Sequence, residues 1–84
     1  MPNYKDFPKY DPRRILVVLF AIEKLGAEAT THYIAQELDC ARVEVQRAIE
    51  AAVKNYLAEI TKNGSTYKIE SWGIVDREKA SKIF

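Results

Sequence analysis

The sequence predicts a single α+β domain in which three helices precede a two-stranded hairpin. Three observations carry this. Three segments between residues 12 and 56 are bounded by helix start and stop signals. The period then changes to two residues over "LAEITKNGSTYKIE", residues 57–70, centred on Asn63-Gly64, a strong short-hairpin signal. The chain has 84 residues, 48% hydrophobic and 30% charged, which is a globular composition with material for one small core.

Residues 1–10 hold Pro2, Pro8 and three aromatics, Tyr4, Phe7 and Tyr10, without regular periodicity, and read as an N-terminal arm. Asp11-Pro12 starts a first helix: the carboxylate accepts from orphan N–H groups, and proline suits the first turn. That helix runs to about Leu25 and stops at Gly26. "GAEAT", residues 26–30, is a short connector or a single extended strand. Thr30 or Thr31 caps a second helix, "HYIAQELD". A tight turn around Asp39–Ala41 leads into a third, roughly Arg42–Tyr56, with Asn55 as a tolerable left-handed stop. In the hairpin Lys62 is expected to face Ser65, Ile60 to face Tyr67 and Ala58 to face Ile69, giving one apolar face. Thr61 then meets Thr66, and Glu59 meets Lys68, a favourable opposite-charge pair. "SWGIV" can continue the strand, and Asp76 can cap a short last helix, "REKASKIF". The domain proper is thus residues 11–75, with residues 76–84 a short helix or tail.

The run "ILVVLFAI", residues 15–22, is apolar on every side of its helix, unlike a surface helix of a small domain. One face belongs to the core. The opposite face, with Val17 and either Phe20 or Ala21, needs cover. A second subunit could supply it, which makes a homodimer through the first helix and the termini the expectation. The arm, or the tail residues Ile83 and Phe84, is the alternative. The run is too short to span a bilayer, and "MPNYKDFPKY" has no basic region followed by an apolar one. A soluble, cytoplasmic protein without membrane contact is expected. The lone Cys40 excludes an internal disulfide.

The order of helices and hairpin resembles that of the winged helix, and the resemblance is specific at the helix-turn-helix. Ile34 and Ala35 match its apolar-then-small pair, Leu38 and Cys40 flank its turn, and Val45, Ala48 and Ile49 supply the buried side of its second helix. Two helices crossing steeply need a small residue at closest approach, with apolar residues around it. Asp39 stands where many members of the superfamily have Gly, because the turn wants a left-handed backbone that Asp tolerates. The likeness covers about residues 12–70, at superfamily level.

It implies a small regulator of transcription that binds double-stranded DNA. The third helix would lie in the major groove and present Ala41, Arg42, Val43, Gln46, Arg47 and Glu50. Arg42 and Arg47 could reach phosphates or guanine, Gln46 could pair with adenine, and Val43 could touch a thymine methyl. The hairpin tip would be the wing, with Lys62, Asn63, Ser65 and Lys68 near phosphate. Thr31 and His32, at the start of the second helix, are further anion candidates. The arm adds Lys5, Lys9, Arg13 and Arg14. Charge argues less plainly. The net charge is +1, and "AQELDCARVEVQRAIE" sets Glu37, Asp39, Glu44 and Glu50 against two arginines. The alternative is a winged-helix protein-interaction module without DNA binding. Local potential separates the two: cations of arm, third helix and wing on one side favour DNA, whereas dominant Glu37, Glu44 and Glu50 favour a protein.

Catalysis is not expected. Cys40 and His32 lack a third polar orienter, and Cys40 fills an apolar motif position. One Cys and one His cannot build a structural zinc site, and three scattered glycines make no phosphate loop. No cofactor, metal or small-molecule ligand is expected. Trp72 and Tyr67 could stack on a base, with packing beside the hairpin as the other role.

Overall fold

A computed structural model describes residues 3–82. The expected tail contacts of Ile83 and Phe84 lie outside those residues. The architecture is α+β: four helices and a two-stranded antiparallel hairpin, an arrangement compatible with a winged helix. The helices are α1 (Pro12–Leu25), α2 (Thr31–Leu38), α3 (Arg42–Asn55) and α4 (Arg77–Ser81); the strands are β1 (Glu59–Asn63) and β2 (Thr66–Ser71). No described helix is long and apolar enough to cross a membrane.

The helix starts form where the capping chemistry puts them. Asp11 accepts from the Arg13 N–H at the start of α1, Thr30 from the Tyr33 N–H at α2, and Asp76 from the Lys79 N–H at α4. Ala41 has no side-chain acceptor, so α3 uses only the other half of a capping box: Glu44 Oε2 accepts the Ala41 N–H at 2.9 Å. Between α2 and α3 the Cys40 N–H reaches the Ala35 carbonyl and the Asp39 N–H reaches Gln36. This is the Schellman closure, with Asp39 at φ 53°, the left-handed conformation expected there.

Asn55 does not supply the left-handed stop of α3. It stays helical, and Leu57 takes φ 58° instead. The cause is tertiary. The Ala58 N–H returns to the Ala52 carbonyl and the Ile74 N–H to the Tyr56 carbonyl, so that Ala58 enters the core while Leu57 points outward, 63% exposed.

Val17, Val18, Leu19, Ile34 and Val45 are fully buried and form the centre of the core. Both sides of α1 are covered from within the chain: Val17 is 1% exposed, and Phe20 and Ala21 are also buried. The arm makes a 3₁₀ turn, Tyr4–Asp6, and delivers Tyr4 and Phe7 to the core. Trp72 packs on Phe20 with ring centroids 4.9 Å apart and donates to Glu23 Oε2, while Arg77 pairs with the same carboxylate. The α1 face expected to need a second subunit is therefore occupied by the arm and by Trp72. Tyr10 is the aromatic of the arm that does not pack back. It lies at φ 70° in a turn closed by the Asp11 N–H on the Pro8 carbonyl, and the residue is 88% exposed.

The hairpin register differs from the expected one by two residues. Asn63 faces Thr66, Lys62 faces Tyr67, Thr61 faces Lys68 and Ile60 faces Ile69. The turn is Gly64-Ser65 rather than Asn63-Gly64. Gly64 has φ 64° and Ser65 has no positive φ, the type II′ pattern, in which glycine comes first. A slip of two keeps every side chain on its face, so the apolar set survives. Glu59 and Lys68 do not meet. A bulge sets Glu59 opposite Ser71, and Glu70 accepts from the Thr61 hydroxyl.

The 26–30 connector becomes a 3₁₀ turn, Gly26–Glu28, followed by one bridging residue, Thr30, opposite Thr66. The Tyr67 N–H donates to the Ala29 carbonyl at 2.9 Å. This connector thus adds one isolated bridge beside β2 and no further strand.

Candidate nucleic-acid interface

Core packing turns one face of α3 outward. Val45, Ala48, Ile49 and Ala52 are buried, so the opposite side carries Val43, Arg47, Glu50 and Lys54, spaced by four, three and four residues. Arg42, Gln46 and Val53 flank this stripe, and all of these are exposed, as is Ala41 at the N-cap. Lys54 is the member that the sequence reading missed, although helical spacing from Arg47 and Glu50 points to it.

The acidic residues of this region separate by role. Glu44 is drawn back onto the helix start by the Ala41 N–H and lies 3.8 Å from the Arg14 guanidinium. Glu37 pairs with Lys24 of α1. Asp39 sits in the turn, 3.8 Å from Lys5. On the outward face Arg42, Arg47 and Lys54 then stand against Glu50. Among the described residues Arg47, Lys54 and Glu50 make no ion pair.

Contacts run from the hairpin to α3. The Thr66 hydroxyl donates to the Ala27 carbonyl at 3.4 Å, and Thr66 bridges Thr30. Thr31 and His32 follow at the start of α2. There Arg42 Nη2 donates to His32 Nδ1 at 2.7 Å, tying the starts of α2 and α3 together. A guanidinium can only donate, so Nδ1 is the acceptor in this contact. His32 also meets Tyr33 edge-on. At the hairpin tip Asn63 and Ser65 are exposed, Lys62 lies over the Tyr67 ring at 5.3 Å, and Lys68 is 3.8 Å from Glu70. Exposed pairs of this kind hold little energy and exchange readily for another anion. Tyr67 and Trp72 pack against the core rather than standing free as stacking platforms.

The arm divides. Arg14 is turned inward: its Nε donates to the Phe7 carbonyl at 2.9 Å, its guanidinium covers the Tyr4 ring at 4.6 Å, and its side chain is 15% exposed. Arg13 is bound to Asp11, and their hydrogen bonds hold that carboxyl down at about 2. Arg14 is thus largely enclosed, whereas Arg13, with a side chain 46% exposed, is paired at the surface. Lys5 and Lys9 remain on the surface. Lys9 shares a cleft with Arg47, so this part of the arm lies beside α3.

Burial, reinforced by the nearby Glu44 carboxylate, pushes the Cys40 thiol up to about 11. A raised thiol favours the neutral form in the folded state, so its contribution to stability is complete below the unfolded value and is lost as pH rises through the folded one. Cys40 should therefore react with a disulfide reagent at pH 8 at least about tenfold more slowly than free cysteine, its smaller thiolate fraction being partly offset by the greater nucleophilicity of that thiolate. A rate equal to that of free cysteine would show the thiol to be open to solvent.

No protein-family model, curated protein or solved structure matches the chain.

Proposed function

We propose that this chain is a winged-helix protein that binds double-stranded DNA, with α3 in the major groove and the β1–β2 hairpin as its wing, and that it acts as a small transcriptional regulator. One observation carries the reading. Glu44 is folded back as a helix cap, which leaves Arg42, Arg47 and Lys54 facing outward with only Glu50 against them. The contiguity of hairpin end, α2 start and α3 start supports it, since a phosphate backbone can run along such a band. Arg42, Gln46 and Arg47 would read bases, while Lys54, Lys62, Lys68 and the arm lysines Lys5 and Lys9 would meet phosphates. With so few contacts, binding by a homodimer to paired half-sites would raise the affinity. Among the described residues, Leu57 and Ile74 are exposed apolar side chains away from α3 that could serve such pairing, whereas those of α1 are buried or partly buried.

The exposure of Val43, Val53, Leu57 and Ile74 favours a second reading, a winged-helix surface for a protein partner. Titration with a random duplex at low salt distinguishes the two. DNA binding predicts shifts of the amides of residues 41–47 and 62–65, weakening steeply as salt is added. Unchanged amides at high DNA concentration would leave the protein-partner reading.

A further inference from the structure

A cleft of about 250 Å³ opens between the arm, the first turn of α1 and the side of α3. Tyr4, Tyr10, Ile15, Ala48 and Ala51 supply its apolar wall. Three cations, Lys9, Arg14 and Arg47, line it against two carboxylates, Asp11 and Glu44. Both carboxylates are engaged: Asp11 by Arg13 and the α1 start, Glu44 by the Ala41 N–H and Arg14. Arg14 is engaged in turn, so Lys9 and Arg47 are the cations left to meet a ligand. Lys9 lies over the Tyr10 ring at 5.5 Å, and Tyr10 holds its wall in a left-handed conformation that costs a bulky residue energy.

We propose that this cleft binds a small apolar carboxylate, its body against the tyrosine, isoleucine and alanine wall and its headgroup on Lys9 and Arg47. The chemistry favours this occupant. A lone phosphate would leave the apolar wall unmatched, and a neutral ligand would leave two cations without a counter-charge. The volume lies just below that of pockets for drug-sized ligands, which fits a small molecule. A headgroup held on Arg47 would also compete with any use of that guanidinium on the outward face of α3. On the DNA-binding reading, which this consequence rests on, the ligand would lower duplex affinity about tenfold, a usual size for coupling between two sites.

The test titrates the full chain with decanoate, decylammonium and inorganic phosphate separately, below micelle-forming concentration, while following its amide and arginine side-chain resonances. Saturable decanoate shifts at Ile15, Arg47, Ala48 and Ala51, without equal effects from the other two, support the site. Equal binding of decylammonium reduces the cleft to an apolar crevice and overturns the proposal. Equal binding of phosphate does so too, marking a simple anion site. Ala51→Phe, which fills the cleft, should abolish the decanoate shifts and leave duplex affinity within twofold. Lys9→Glu should weaken decanoate about tenfold. Decanoate binding that leaves duplex affinity unchanged overturns the regulatory consequence alone. Because the carboxylate titration needs no DNA, failure of the DNA reading leaves its result intact.

Discussion

Gly73→Ala should lower the stability of the fold by about 2–4 kcal/mol, the range of combined backbone strain and steric overlap. Gly73 has φ 62°, and a Cβ there would lie 2.0 Å from the Tyr56 carbonyl oxygen and within 2.6 Å of the Leu57 backbone. Those atoms belong to the turn that follows α3, where the Ile74 N–H donates to the Tyr56 carbonyl at 2.8 Å. Neither side can yield alone, because the same turn holds Ala58 in the core. A domain of this length has about 4–12 kcal/mol of stability in total, so the substitution removes a large share. Urea denaturation followed by circular dichroism measures it. A midpoint unchanged from the parent would mean that α3 and the segment after β2 are not locked together. Gly64→Ala is the contrast: φ is similar, but nothing lies within 4 Å of the added carbon. It should cost only the conformational strain, about 1–3 kcal/mol, without the steric overlap.

The second large effect concerns DNA. On the proposed DNA-binding reading, replacing both Arg42 and Arg47 by Ala should raise the duplex Kd at least thirtyfold. Each base-reading contact is worth about 1–3 kcal/mol, and the two side chains, a turn and more apart, should add. Each contact that goes instead to a phosphate should reduce the salt slope by about 0.9. Neither side chain supports the core, so the variant should unfold within about 0.5 kcal/mol of the parent. Fluorescence anisotropy with a labelled duplex reads the affinity. Lys79→Ala, on α4, controls for a generic loss of charge. If the control weakens binding as much as the double variant does, α3 is not the reading surface.

Much of the fold was legible because its signals are local. Asp11-Pro12, Gly26, Thr30 and Asp76 mark element ends through bonds within four residues of themselves, and those ends fall where the signals lie. The hairpin's alternation was equally legible, since it depends only on which side chains share a face. Its register was not. Asn63-Gly64 and Gly64-Ser65 are both good two-residue turns, and the two pairings differ by an even step that preserves the apolar face. The bridge from Thr66 to Thr30 and the bond from Tyr67 to Ala29 accompany the observed pairing, and both come from a segment more than thirty residues away.

The candidate site was legible as a list of residues and not as a charge distribution. Counting Glu37, Asp39, Glu44 and Glu50 against Arg42 and Arg47 makes the segment look unfit for phosphate. The count changes once Glu44 caps its own helix and Arg14 turns inward to hold Phe7, Tyr4 and Glu44. The first event has a local signature, an acidic residue three positions after the helix start. The second depends on where the arm folds, which no spacing announces.

The three long helices, the hairpin, the caps at Asp11, Thr30 and Asp76 and the left-handed turn at Asp39 are all readable from the sequence, because each follows from backbone chemistry within a turn or two of chain. Only the tertiary structure decided the cover of α1 by the arm and Trp72, the positive φ of Leu57, the pairing register and the placing of Lys9 beside Arg47. Those depend on atoms brought together by packing, and a buried apolar surface or an unpaired carbonyl does not specify in advance which distant segment will meet it.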